Sequence, residues 1–199
     1  METTETILGF WFGSSPDDAI VAKEKTALWW AKDATTDQHM RERFAPTLQQ
    51  AANGALRDWQ TTPEGRLALI LLCDQFPRNI YRDTPQSFAF DEQARSLCKK
   101  GIDAGADEVL RPIQRVFFYL PLEHSESLDD QNESVALFEA LATGMPAAQR
   151  KEFAGYVDFA KHHRAIIERF GRFPHRNAIL GREATAEELA FLSGPGSSF

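Results

Sequence analysis

From Leu67 to Cys73 the chain is apolar without a break, and the longer segment from Arg66 to Phe76 is apolar on nearly every side of a helix. Such a helix has no face to offer water, so the fold must be built around it. Thr62-Pro63-Glu64 starts it with a cap residue, a proline suited to the first turn and an acid near the positive helix end. The apolar run is far too short to cross a bilayer.

The same kind of punctuation divides the rest of the chain into helices. Ser15-Pro16-Asp17-Asp18 predicts a helix to about Lys32 that begins with an N-cap and a proline at its first position. Ile7 to Phe12, ahead of it, is a short apolar opening compatible with an extended segment. Met40, Phe44 and Leu48 mark a helix over about 36–53, stopped by Asn53-Gly54. Phe88, Asp91, Ala94 and Arg95 open another, ended by Gly101 or Gly105. Further helices are expected over about 107–120, over 129–143 with Gly144 as cap, from Pro146 to Phe170 with a break at Gly155, and over 185–192. Thr185-x-x-Glu188 has the form of a capping box. No strand-turn-strand signal appears, so the chain reads as all-α, with about eight helices in antiparallel pairs. It reads as one domain over 1–199, with 1–6 and 193–199 expected to fray.

Net charge is −7, which argues against general nucleic-acid binding. The charge is uneven. Lys161, Arg164, Arg169, Arg172, Arg176 and Arg182 face only Glu168 within residues 161–182, a window of +5 that leaves −12 elsewhere. Such a patch suits an anionic small molecule or an acidic peptide partner; it equally suits arginines that close buried helices and pair with carboxylates. Cys73 and Cys98 fall in helical patterns and read as reduced core thiols. With an acidic start unlike a signal peptide and no membrane span, the expected location is cytoplasmic.

Three polar constellations stand out. Asp74-Gln75-Phe76-Pro77-Arg78-Asn79 follows the apolar helix, and its Phe-Pro-Arg-Asn wording returns at Phe173-Pro174-His175-Arg176-Asn177. In both places Phe-Pro is expected to end a helix and to put Arg and Asn just beyond it. Asp74 and Arg78 have the spacing of a helical ion pair, which Pro77 opposes by disfavouring helix at Phe76. Between the copies lies Glu123-His124-Ser125-Glu126, where carboxylates flank a histidine as they would a general base or a metal ligand. Glu123 and Glu126 share a face if the segment is helical. The alternative is a histidine that stitches neighbouring helices. In the third constellation His163 shares an apolar helix face with Ile166, Ile167 and Phe170, and Gly171 suits a left-handed cap. Arg172, His175, Arg176 and Asn177 follow as a donor-rich cluster. Two cysteines and scattered histidines give no closed metal signature, and no cofactor motif is present.

Taken in order, Asp74–Asn79, Pro121-Leu-Glu-His-Ser-Glu126 and Arg169-Phe-Gly-Arg-Phe-Pro-His-Arg-Asn177 closely resemble the bacterial family known as domain of unknown function 924. The resemblance extends from Gly9-Phe-Trp-Phe12 to the Thr185 helix. It implies an all-α fold like the tetratricopeptide superhelix, and it implies no activity. On the residues themselves, the three motifs are expected to converge on one polar pocket walled by buried helices. Arg78, Arg176 and Arg172 would hold an anionic group, with Asp74, Asn79, His163, His175 and Asn177 around it. His124, with Glu123 or Glu126, would supply acid-base capacity, as in a hydrolase. The alternatives are a peptide-binding helical module and a polar network that specifies packing.

Overall fold

A computed structural model describes residues 2–147 and 149–197. Among these residues the chain has nine α-helices and no strand. They are α1 (Thr4–Phe12), α2 (Asp18–Trp30), α3 (Ala34–Ala52), α4 (Pro63–Ile80), α5 (Asp91–Asp103), α6 (Pro112–Glu123), α7 (Leu128–Gly144), α8 (Arg150–Phe170) and α9 (Ala186–Leu192). Short 3₁₀ turns occupy Arg57–Thr61, Pro85–Phe88 and Pro174–Arg176. The chain divides into two compact units, one of residues 1–82 and 86–121, the other of 83–85 and 122–199.

The first unit is built on α4. Thr62 caps it and Pro63 occupies its first turn. Every residue from Leu67 to Pro77 is buried, because α1, α3, α5 and the Arg57–Thr61 turn all pack on it. Phe76 lies 4.9 Å from Phe44 of α3 and 5.4 Å from Trp11 of α1, ring centre to ring centre. Trp11 meets Phe117 of α6 edge-on at 5.5 Å, and Trp29 donates its indole N–H to the Trp11 carbonyl. Aromatic contacts of this kind add to the burial of large apolar surface.

The second unit is built on the pairing of α7 with α8. Ser127 caps α7. Gly171, at φ +68°, closes α8 in the left-handed conformation and sends its N–H back to Ile167. Ile166, Ile167 and Phe173 form a small core, with Phe170 and Phe191 of α9 packed against it.

Several sequence expectations are corrected. Residues 4–12 are helical rather than extended, because Thr3 and Thr6 form a reciprocal capping box that supplies a start. Asp17, not Ser15, caps α2, so Pro16 precedes the cap. Phe76-Pro77 does not end α4; the helix runs through Pro77 to Ile80, and dense burial on all sides holds it despite the missing N–H. α6 starts at Pro112 rather than 107 and likewise passes through Pro121. α7 includes Gly144, and α8 begins at Arg150 and is unbroken at Gly155. In the segments 1–6 and 193–199, Glu2 pairs with Arg43, and the Gly196 carbonyl lies 2.8 Å from His162 Nε2. Met1, Ser198 and Phe199, from the same segments, lie outside the described residues.

Candidate functional site

The first motif belongs to the first unit. Continuity of α4 puts Asp74 and Arg78 one turn apart, and Arg78 Nη2 lies 3.1 Å from Asp74 Oδ1 and 3.0 Å from Asp91 Oδ1. Burial works against the Arg78 charge, but Asp91 and Asp74 overcome it and raise the guanidinium's affinity for its proton. The guanidinium also lies over the Phe88 ring. Gln75 donates to the other Asp74 oxygen at 2.6 Å. Asn79 donates to Asp37, which also receives a two-pronged contact from Arg82. Asp37 and Arg82 carry no signal in the sequence, and Asp91 reads there only as part of a helix start. Only the fold pairs them with the motif, across 42 positions for Asp37–Asn79 and 13 for Arg78–Asp91.

The second and third motifs meet inside the second unit. Glu123 is the last residue of α6, so His124 to Glu126 form a turn rather than a helix, and Glu123 and Glu126 do not share a helical face. Their carboxylates do different things. Glu126 accepts the Phe173 backbone N–H at 2.8 Å and a bidentate contact from Arg182. Burial opposes its charge, but Arg182 and the Phe173 N–H hold its carboxyl below the usual carboxylate range. Arg182 also donates to Asn177 Oδ1 and to the Phe173 carbonyl, closing the loop that follows α8. Arg172 makes a bidentate pair with Glu188, whose pKa is held down to about 2 by Arg172 and by the Thr185 N–H. The Thr185–Glu188 capping box is present in both halves, so one carboxylate serves both contacts.

Glu123 and His163 are both buried, and they form the other half of the cluster. His163 Nδ1 lies 2.9 Å from the Phe159 carbonyl and 3.2 Å from Glu123 Oε1. The carbonyl can only accept, so Nδ1 carries the proton and Nε2 is the basic nitrogen. Burial pushes the imidazole down to a pKa of about 3, with His124 and Arg176 adding to the shift and the Phe159 carbonyl opposing it. The His124 ring centre is 6.3 Å from that of His163. Arg176, also buried, donates to the His124 carbonyl at 3.0 Å and lays its guanidinium 4.5 Å from the Phe173 ring centre. His175 contacts the same ring at 5.6 Å. Thus His163, His175 and Arg176 gather round Phe173, with His124 beside His163 and the Glu123 carboxylate 3.2 Å from the His163 Nδ1.

The model of the family described as "Bacterial protein of unknown function (DUF924)" matches residues 7–196. The chain belongs to this family. The DUF924 match takes in all three motifs. A solved structure of similar fold, the protein of unknown function ATU0120 from Agrobacterium tumefaciens, is 39% identical, with a TM-score of 0.80 over 96% of this chain and 97% of the other. No curated protein matches the chain.

Among the described residues no helix is long and apolar enough to cross a membrane, and no group of three or more His, Cys, Asp or Glu side chains is placed to hold a metal ion. Cys73 and Cys98 are buried and form no disulfide among the described residues, and burial first, then Asp74, pushes the Cys73 thiol up to about 12.

Proposed function

We propose that this is a cytoplasmic small-molecule-binding protein whose second unit carries an acid-base site for an anionic ligand, with hydrolysis as its reaction class. The supporting observation is the buried Glu123–His163 pair. A carboxylate beside Nδ1 fixes the tautomer, and a neutral imidazole keeps a lone pair on Nε2 with which to take a proton from water or substrate. Arg176 and His124, held next to that imidazole, supply positive charge and hydrogen bonds for an anionic group.

A second reading is favoured by Glu126–Arg182 and Arg172–Glu188. These pairs are bidentate and join segments far apart in sequence, as expected of a polar network that specifies packing in a helical peptide-binding module. The two readings divide the motif. Glu126, Arg172, Asn177 and Arg182 fasten the loop, while Glu123, His124, His163 and Arg176 form the site.

The test is turnover of a panel of carboxylic esters and phosphate monoesters by wild type and by His163→Gln. The site reading expects hydrolysis of at least one class and a loss of roughly 100-fold or more in the variant, at an unchanged fold. A panel with no turnover, or a rate that His163→Gln leaves intact, sinks the hydrolase reading.

A further inference from the structure

An open depression of about 490 Å³ lies in the first unit, lined by Gln60 of the Arg57–Thr61 turn, Ala89, and Glu92, Gln93, Ser96, Leu97 and Lys100 of α5. Its walls lie against an unusual arginine. Arg66, on the first turns of α4, donates only to backbone carbonyls, those of Leu97 at 3.3 Å and Gln60 at 3.0 Å, both of lining residues. Among the described residues it has no carboxylate partner, and its Nε is buried without a hydrogen bond. Burial accordingly lowers its hold on its proton. With no ion pair to neutralise it among the described residues, that charge stands directly behind two residues of the lining, Leu97 and Gln60.

The arginine is built in, not draped on the surface. Its stem passes over Gly101 of α5, where an added Cβ would come 2.5 Å from Arg66 Cδ and 2.4 Å from Phe118 Cζ. Lys100, exposed on the lining, makes no ion pair among the described residues. The one acid on the lining, Glu92, is itself engaged by Arg95 at 2.8 Å. The excess charge is therefore positive, on a chain whose net charge is −7. The walls also hold spare hydrogen-bonding capacity. Gln93 donates to the Ala51 carbonyl through Nε2, which leaves its Oε1, and the Gln60 amide and Ser96 hydroxyl bond to no described protein group.

We propose that this depression is a second ligand site, distinct from the histidine cluster, for a small polar molecule carrying a carboxylate or phosphate. Lys100 meets the anion, Arg66 supplies the field behind it, and Gln60, Gln93 and Ser96 hydrogen-bond the neutral part. The volume is within the range of small-molecule sites.

The experiment is amide NMR of the full chain titrated with inorganic phosphate and, separately, succinate. Saturable shifts are expected in α5 around Ser96 and Lys100 and in the Gln60 side-chain amide, weakening with added salt. The phosphate and succinate arms decide which anion is held. Ser96→Asp puts a negative charge on the wall without touching the core, and should weaken binding by about tenfold or more, with Lys100→Gln giving a smaller loss. Absence of saturable shifts with both anions overturns the proposal, as do shifts unchanged in Ser96→Asp. Resonances of His163 report separately on the other site, so failure of one does not mask the other.

Discussion

Arg182 grips Glu126 with both prongs of its guanidinium, Nη1 to Oε2 at 2.7 Å and Nη2 to Oε1 at 3.0 Å, across 56 positions of sequence. The same arginine holds the Phe173 carbonyl, and the same glutamate holds the Phe173 N–H. Phe173 is thereby fixed at both backbone ends, and its ring is the surface on which Arg176 and His175 lie. Arg182→Ala should destabilise the protein by roughly 2–3 kcal/mol, since it removes charged hydrogen bonds and strands half-buried acceptors. Urea unfolding measures this. A change below about 0.5 kcal/mol, the usual scale of an exposed pair, would show that the loop closes without this clasp.

Gly101→Ala tests the packing around Arg66. Alanine normally improves a helix interior by about 1 kcal/mol over glycine. Here the new methyl would meet the Phe118 ring and the Arg66 stem at contact distances no real Cβ tolerates. Overpacking of this kind costs about 1–3 kcal/mol, so the net effect should be destabilising. A melting temperature at or above that of wild type would show that Arg66 leaves its groove freely.

Acid should destabilise the protein in two windows. His163 is neutral in the folded chain, with its pKa at about 3 against an ordinary 6.5. Below about pH 6.5 the unfolded chain binds the extra proton, so stability falls as pH drops from there toward 3. Glu188, held at about 2 against an ordinary 4.5, stabilises above pH 4.5 and loses that contribution as pH falls through 4.5 toward 2. His163→Gln should abolish the upper window only, removing a loss of about 2 kcal/mol between pH 6.5 and 5. Chemical unfolding across that range is the measurement. An identical pH profile for variant and wild type would contradict a neutral buried His163.

The parts of the fold legible in sequence are those written in neighbouring residues. The burial of α4 follows from apolar residues on all its sides, the stop at Gly171 from a glycine after a periodic run, and the α9 start from Thr185 and Glu188. Pro77 and Pro121 misled the local reading because helix propensity is weak beside tertiary packing; each sits in a helix whose neighbours are buried. The opening segment misled it because a short apolar run does not distinguish helix from strand, and Thr3-x-x-Thr6 lacks the Glu or Gln that marks a capping box in sequence. For the candidate site, His163 on an apolar face and the cationic excess after it were visible. Which carboxylate each cation takes was not, because Glu126–Arg182, Glu188–Arg172 and Asp37–Arg82 are long-range pairings. The echo of Phe-Pro-Arg-Asn is likewise not a structural repeat: its first copy is helical, and its second begins extended at Phe173 and passes into a 3₁₀ turn.

The most direct test is a pH titration of the histidine side-chain nitrogens by NMR, in wild type and in Glu123→Gln. The account predicts that the His163 ring stays neutral from pH 8 to about pH 5, with its proton on Nδ1 and an unprotonated Nε2. In Glu123→Gln the Nδ1 tautomer should become less exclusive, because one of the two acceptors that hold it is weakened. A His163 ring that titrates near its ordinary pKa of 6.5, or carries its proton on Nε2 in the wild type, would contradict the account.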